Sequence, residues 1–205
     1  MIVYVESNFC LELAFQQEEE AQAEEILQLA NARRFELVFP QFAVCEPFST
    51  LNRYDNERRR FLNDLNKQLS ELNRSAQHQG IVAGMQPLVA TLTRIGQDQA
   101  NRLEAVVERM LHCGRTIPLT AALFASARQL EGQYDLSPQD AIVAASVLGD
   151  LQPLNAAPES HAFLSRNSKD FNPMRGDFSA LGCQYLSKFR DGLQFIRSRI
   201  SNSGQ

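Results

Sequence analysis

The stretch Met1-Ile2-Val3-Tyr4-Val5-Glu6-Ser7-Asn8 holds the key to the fold. Ile2 to Val5 is a β-branched and aromatic run without turn residues, which predicts a short buried strand. Glu6 ends the run, and Ser7-Asn8 turn the chain into a helix that carries Leu11, Leu13, Ala14 and Phe15. A carboxylate closing an apolar strand is costly to bury, and such positions are often functional. The pattern recurs. Glu36 to Phe39 predicts a second strand, ended by Pro40, before a helix that carries Phe42, Cys45 and Glu46. Pro47 fits that helix in its first turn or as a kink. Ala162 to Ser165 predicts another strand, followed by Arg166-Asn167-Ser168-Lys169-Asp170-Phe171, and Gly182 to Leu186 a last short one. Strands separated by helices predict an α/β fold, a three-layer α/β/α sandwich with a mostly parallel sheet.

The helices follow from apolar spacing. From Glu18 to about Arg34, the residues Ala23, Ile26, Leu27 and Ala30 recur at threes and fours. From about 51 to 115 the pattern is almost continuously helical. Phe61, Leu65, Leu69 and Leu72 form one stripe, Leu88, Leu92 and Ile95 a second, and Leu103, Val106, Val107, Met110 and Leu111 a third. Breaks fall at Gln79-Gly80, at Gly84 through Pro87 and at Gly114. This predicts a helical hairpin or three-helix insertion in one domain spanning 1–205. Pro118 to Leu130 predicts a further helix. Ser137-Pro138-Gln139-Asp140 opens another, with Ser as cap, Pro at the first position and an acid three after the cap. Ser187 to Ile200 closes the chain as an amphipathic helix.

A net charge of −4 excludes bulk electrostatic attraction to nucleic acid, so any such binding needs a local basic patch. The best cluster is Arg53-Tyr54-Asp55-Asn56-Glu57-Arg58-Arg59-Arg60, where Arg53 and Arg58 could hold phosphates and Tyr54 could stack on a base. A solvated helix face with an Asp55–Arg59 pair accounts for the same residues. Cys10, Cys45, Cys113 and Cys183 form no CxxC pair, which predicts reduced thiols and a cytoplasmic chain. The amino terminus lacks the basic start of a signal peptide, and no stretch is apolar enough to span a bilayer. His78, His112 and His161 share no ligand spacing.

In a parallel sheet, strand ends and following helix starts meet along one edge. Glu6, Glu46, Asp140 and Asp170 are all placed to reach that edge. Gathered carboxylates repel each other, and a divalent cation is the usual neutraliser. Blander readings stand beside this one: Asp140 fits a helix cap, Glu46 a solvated helix face, and Asp170 a cap before Asn172-Pro173.

These four acids, in this order and in these elements, resemble the PIN domain family. Its members carry an aspartate at the end of strand one, followed by Ser/Thr and Asn (here the place reads Glu6-Ser7-Asn8), a glutamate in a helix after strand two (Glu46) and an Asp-Ala helix start (Asp140-Ala141). They close with a Ser/Thr-Arg-Asp-x-x-Asp-Phe run (Ser165 to Phe171). The likeness covers roughly 1–50 and 136–186. It implies an Mg²⁺- or Mn²⁺-dependent endoribonuclease acting on RNA, with Glu6, Glu46, Asp140 and Asp170 as catalytic metal ligands. Ser7, Asn8, Ser165 and Asn167 would orient ligands or water by hydrogen bonds, and Arg166 would meet phosphate. A familiar role of such proteins is the VapC-like toxin of a toxin–antitoxin pair, held inactive by an antitoxin. A homodimer is also implied, with Leu103 to Leu111 as a candidate surface or, alternatively, as ordinary core. Two departures favour a catalytically weakened binding or scaffold module instead. Glu6 replaces an aspartate, which moves the carboxylate outward by about 1.5 Å. Asn167 replaces an acid.

Overall fold

The computed structural model describes residues 1–154 and 157–202. Strand β1 (Ile2–Val5) leads directly into helix α1 (Ser7–Phe15), then α2 (Glu20–Asn31) and β2 (Glu36–Pro40). Two long helices follow, α3 (Phe42–Leu72) and α4 (Gln79–Cys113), then β3 (Arg115–Ile117), α5 (Ala121–Tyr134) and α6 (Pro138–Leu151). The chain ends with β4 (His161–Leu164), the short helices α7 (Ser168–Phe171) and α8 (Arg175–Ala180), β5 (Cys183–Leu186) and α9 (Phe189–Asn202). The sheet is five-stranded in the order β3-β2-β1-β4-β5, and every pairing is parallel. Val3 lies opposite Leu37 on one side and Ala162 on the other.

Side chains alternate along each strand and so divide two apolar clusters between the faces of the sheet. Val3, Val5, Leu37, Phe39, Ala162 and Leu164 point to one face, with α1, α2, the base of α4 and α9. Ile2, Tyr4, Val38 and Phe163 point to the other, with α6, α8 and Ala127 of α5. Both faces are covered, which is why the strands are continuously apolar. This is the expected α/β/α layering.

The strands are fixed by their neighbours where local pattern is too short to reveal them. β3 went unforeseen because three residues carry no readable period; it exists because Val38, Phe39 and Pro40 offer it a ladder. The next helix starts at Ala121 rather than Pro118, since the Thr120 side chain accepts from Leu123 N–H and caps it there. The central helical region is a two-helix hairpin. The expected break at Gly84–Pro87 is absent: α4 runs through it and Pro87 is exposed, so the hydrogen bond it forfeits is left to water. The turn lies earlier, at 73–78. Leu103, Val106, Val107 and Met110 are packed into the core beside α1 and α2, while Leu111 is exposed. That stripe is therefore an internal seam. No helix among the described residues is long and apolar enough to cross a membrane.

Candidate functional site

The chain runs from β1 outward to β2 and β3, then returns to place β4 on the opposite side of β1. The connection therefore reverses between β1 and β4, and parallel sheets bind ligands outside the carboxyl ends of strands at such a reversal. Glu6 follows β1 there, and Ser165 to Asn167 follow β4.

Glu6 is 5% exposed and has extended backbone geometry as the N-cap of α1. Its Oε2 accepts from Asn8 N–H at 3.0 Å and from the Ser7 hydroxyl at 2.8 Å. The other oxygen, Oε1, is buried without a hydrogen-bond partner. Burial pushes the Glu6 carboxyl above its ordinary range, and the Glu46 charge adds to the shift. The Asn8 amide and the Ser7 and Ser165 hydroxyls oppose it, although Ser165 gives Oε1 no hydrogen bond of acceptable geometry. Glu46, half-buried on α3, is joined to the same Ser7 hydroxyl at 2.6 Å. A hydroxyl has one proton to give. It cannot serve two carboxylates at once, so this pair is complete only with one further proton or a cation.

Glu46 lies beside a local defect in α3. Pro47 lies inside α3 and has no N–H for the Ala43 carbonyl one turn back. The buried Cys10 thiol of α1 lies between that carbonyl, at 3.8 Å, and Met110 Sδ, at 3.3 Å, and has one proton for the two. Burial pushes the Cys10 thiol up to about 12, so it stays protonated. This contact and the Ser7–Glu46 hydrogen bond both join the start of α3 to α1.

Asp140 lies in the first turn of α6. Ser137 Oγ accepts from Asp140 N–H at 3.1 Å and donates to its Oδ2 at 2.5 Å, so the capping role is real. Oδ1 accepts from Asn167 Nδ2 at 2.8 Å. Asn167 N–H in turn donates to Ser165 Oγ at 3.0 Å, and the Tyr185 hydroxyl donates to the Ser165 carbonyl at 2.9 Å. The asparagine supplies what an aspartate could not, a donor to Asp140. Asp170 is half-buried in α7. Burial pushes Tyr185 up to about 12, and the Glu6 and Asp170 charges both contribute, so both carboxylates act on that phenol.

The structure thus gathers the expected residues in two groups, Glu6–Ser7–Glu46 and Asp140–Asn167–Ser165. It does not bring all four acids to one point: among the described residues no three acidic, His or Cys side chains are grouped to hold a metal. The Asn167 amide and the Ser137 hydroxyl take up one oxygen each of Asp140.

The basic residues are more committed than their sequence suggests. Arg166 Nη1 lies 2.5 Å from Glu12, which is fully buried, and 3.0 Å from Glu18. It lines an open groove with Asn8, Gln17, Glu18 and Asn167. Arg58 is tied into the hairpin by Asp55 at 3.3 Å and Gln99 at 2.8 Å. Arg53 lies over the Tyr54 ring at 5.2 Å, and Tyr54 leans on Phe15. The helix-face reading of this cluster therefore accounts for its contacts, including an Arg59–Asp55 pair at 2.7 Å. Sequence reasoning missed Cys10, Glu12 and Tyr185 as site supports. An acid among Leu11, Leu13, Ala14 and Phe15 was the available signal for Glu12. No protein-family model matches the chain, and no curated protein matches it.

Proposed function

We propose that this protein is a PIN-like endoribonuclease that hydrolyses RNA phosphodiesters with Mg²⁺ or Mn²⁺. The observation that carries this reading is the pair of carboxylates, Glu6 and Glu46, sharing one hydroxyl at the reversal point of a parallel sheet, with Glu6 Oε1 buried and unpartnered. Hard oxygen donors with a charge deficit between them fit a hard divalent cation. Glu6 and Glu46 would hold it, with Asp140 and Asp170 supplying further carboxylate from the facing elements. When bound, the cation supplies positive charge against the phosphate and acidifies water.

The chain's own groups do the rest. Ser7 holds the two glutamates in register. Asn167 fixes the rotamer of Asp140 by its amide, and Ser137 fixes the other oxygen. Arg166, at the groove edge, is available to phosphate by exchange with the exposed Glu18 while keeping Glu12. Arg53 and Tyr54 offer a second contact for the RNA strand along α3. Control by a cognate antitoxin and a cytoplasmic location belong to the same proposal.

The test is cleavage of a mixed RNA substrate with Mn²⁺ and with chelator, comparing wild type with Asp140→Asn and Glu46→Ala. Metal-dependent cleavage lost in both variants supports the enzyme. The second reading, a catalytically weakened binding or scaffold module, is favoured by the closed Asp140–Asn167 contact. Calorimetry showing no Mn²⁺ binding by wild type, together with no cleavage, would establish it and remove the nuclease.

A further inference from the structure

We propose that Glu18 is an internal brake on phosphate binding: its carboxylate holds the place at Arg166 that an RNA phosphate takes, and the turn between α1 and α2 presents it there. The inference rests on the reading of this groove as an RNA site and adds a regulator to it. Arg166 is the cation of an open groove of about 450 Å³ lined also by Asn8, Gln17, Glu18 and Asn167. Two acids meet its Nη1, Glu12 at 2.5 Å and Glu18 at 3.0 Å. Their surroundings are opposite. The Glu12 side chain is 0% exposed and the Glu18 side chain 79%.

The turn is pinned on both sides of Glu18. Gln16 ends α1 with left-handed backbone at φ 52°. Gln17 N–H then donates to the Glu12 carbonyl at 3.1 Å. Glu19 N–H donates to Glu12 Oε1 at 2.6 Å, and Phe189 N–H, at the start of α9, donates to Glu19 Oε2 at 2.8 Å. One buried carboxylate therefore joins the two partners: Glu12 Oε1 holds the turn and Oε2 holds the guanidinium. Glu12 is a positioning residue. It fixes both Arg166 and the backbone that carries Glu18. With its bonded neighbours held, Glu18 leaves Arg166 by side-chain rotation alone, a picosecond-to-nanosecond event for an exposed residue, and no loop has to open.

The two acids respond differently to an incoming phosphate. Taking Arg166 from Glu12 would leave a fully buried carboxylate without its cation, which is strongly unfavourable. Taking it from Glu18 returns a carboxylate to water at little cost. A phosphate that binds Nη1 must replace Glu18, and one that binds the neighbouring nitrogens meets the same carboxylate as a like charge. The strength of the brake follows from exposure. A solvent-exposed pair is screened, and contact is favoured over separation by about 1.5- to 5-fold. A site closed in that proportion binds its ligand about 2.5- to 6-fold more weakly than an open one. The groove is thus held shut by a weak internal anion while Glu12 keeps the guanidinium aimed.

The test is the affinity of the full chain for a short fluorescent single-stranded RNA, read by anisotropy in chelator so that none is cleaved. Glu18→Gln is expected to bind about 2.5- to 6-fold more tightly than wild type. Glu104→Gln removes the same charge from an exposed position on α4 and is expected to bind as wild type does. In an Arg166→Gln background the gain from Glu18→Gln is expected to vanish. If that background loses its helical circular dichroism, the comparison of Glu18→Gln with Glu104→Gln decides alone. Equal affinity of wild type and Glu18→Gln, an equal gain in Glu104→Gln, or a gain that persists in a folded Arg166→Gln background each overturns the brake and leaves the RNA reading standing. RNA binding absent from both wild type and Glu18→Gln overturns the brake together with that reading.

Discussion

Glu6→Gln is expected to make the protein more stable at neutral pH, although it removes a residue proposed to hold the cation. The folded state raises the Glu6 carboxyl above its ordinary 4.5 by burial. The fold thus favours the protonated acid. The stability this provides is complete below the ordinary value and is lost as pH climbs through the raised one. At pH 7 without metal, Oε1 is a desolvated atom with no partner. Leaving one buried polar atom unsatisfied costs about 1–3 kcal/mol, and more if charged. The glutamine carries no charge, keeps a carbonyl for Asn8 N–H, and frees the Ser7 hydroxyl to serve Glu46 alone; its Nε2 inherits the place of Oε1, so what is relieved is the buried charge. A gain of about 1–3 kcal/mol corresponds to a melting temperature higher by about 2–12 °C for a chain of this size. Thermal melts followed by circular dichroism in chelator at pH 7 and pH 4 measure it. The gain should shrink towards zero at pH 4, where both side chains are neutral. Saturating Mn²⁺ should raise the melting temperature of wild type and leave that of the variant nearly unchanged. A variant less stable than wild type at pH 7, or a gain that ignores pH, would show that the carboxylate is adequately solvated where it lies and refute the reasoning.

Asn167→Asp replaces a 2.8 Å hydrogen bond with a pair of like charges, so stability at pH 7 should fall by about 1–3 kcal/mol in urea titration, with part of the loss recovered by Mn²⁺. Gly114→Ala places a Cβ 2.6 Å from Phe39 Cε1 and 3.0 Å from the Leu37 and Met110 carbonyl oxygens; backbone cannot swing away, and a loss of about 1–3 kcal/mol is expected in the same titration. His161 gives the opposite pH response to Glu6. Its Nδ1 accepts from Ile2 N–H at 3.1 Å, and burial holds its pKa below the usual 6.5. Its contribution is present above 6.5 and fades as pH falls through the folded value, so melts of wild type should lose stability on acidification, and His161→Gln should flatten that slope by about 0.5–1.5 kcal/mol.

The sheet was readable because its strands are buried on both faces and so appear as unbroken apolar runs bounded by Pro, Gly or an acid. Ile2–Val5 and His161–Leu164 stand in the sequence almost as they stand in space. β3 was not readable, because Arg115–Ile117 is a strand only through the partner beside it. The hairpin was expected from its stripes, and the expected break at Gln79-Gly80 adjoins its turn at 73–78, but the one at Gly84 through Pro87 is absent: Gly and Pro weaken a helix without always ending it when tertiary packing continues on either side. At the site, the order and elements of the acids were legible. The division into two groups was not, since it depends on which neighbour each oxygen meets. Asn167 looked like a missing charge and is a donor instead. Arg58 looked like a phosphate contact and is a strut between helices. The Asn167–Asp140 and Arg58–Gln99 pairings join residues 27 and 41 positions apart and leave no local trace.

The thiol that lies against the Ala43 carbonyl beneath Pro47 has a consequence for the acids above it. An uncharged sulfur donor that resists ionisation gives a joint indifferent to salt and to acidity over the physiological range. The contact between α1 and α3 beside Glu6 and Glu46 thus includes a component that stays uncharged when their own ionisation changes. Two titrating groups mounted on an inert hinge pin can change occupancy without moving their supports.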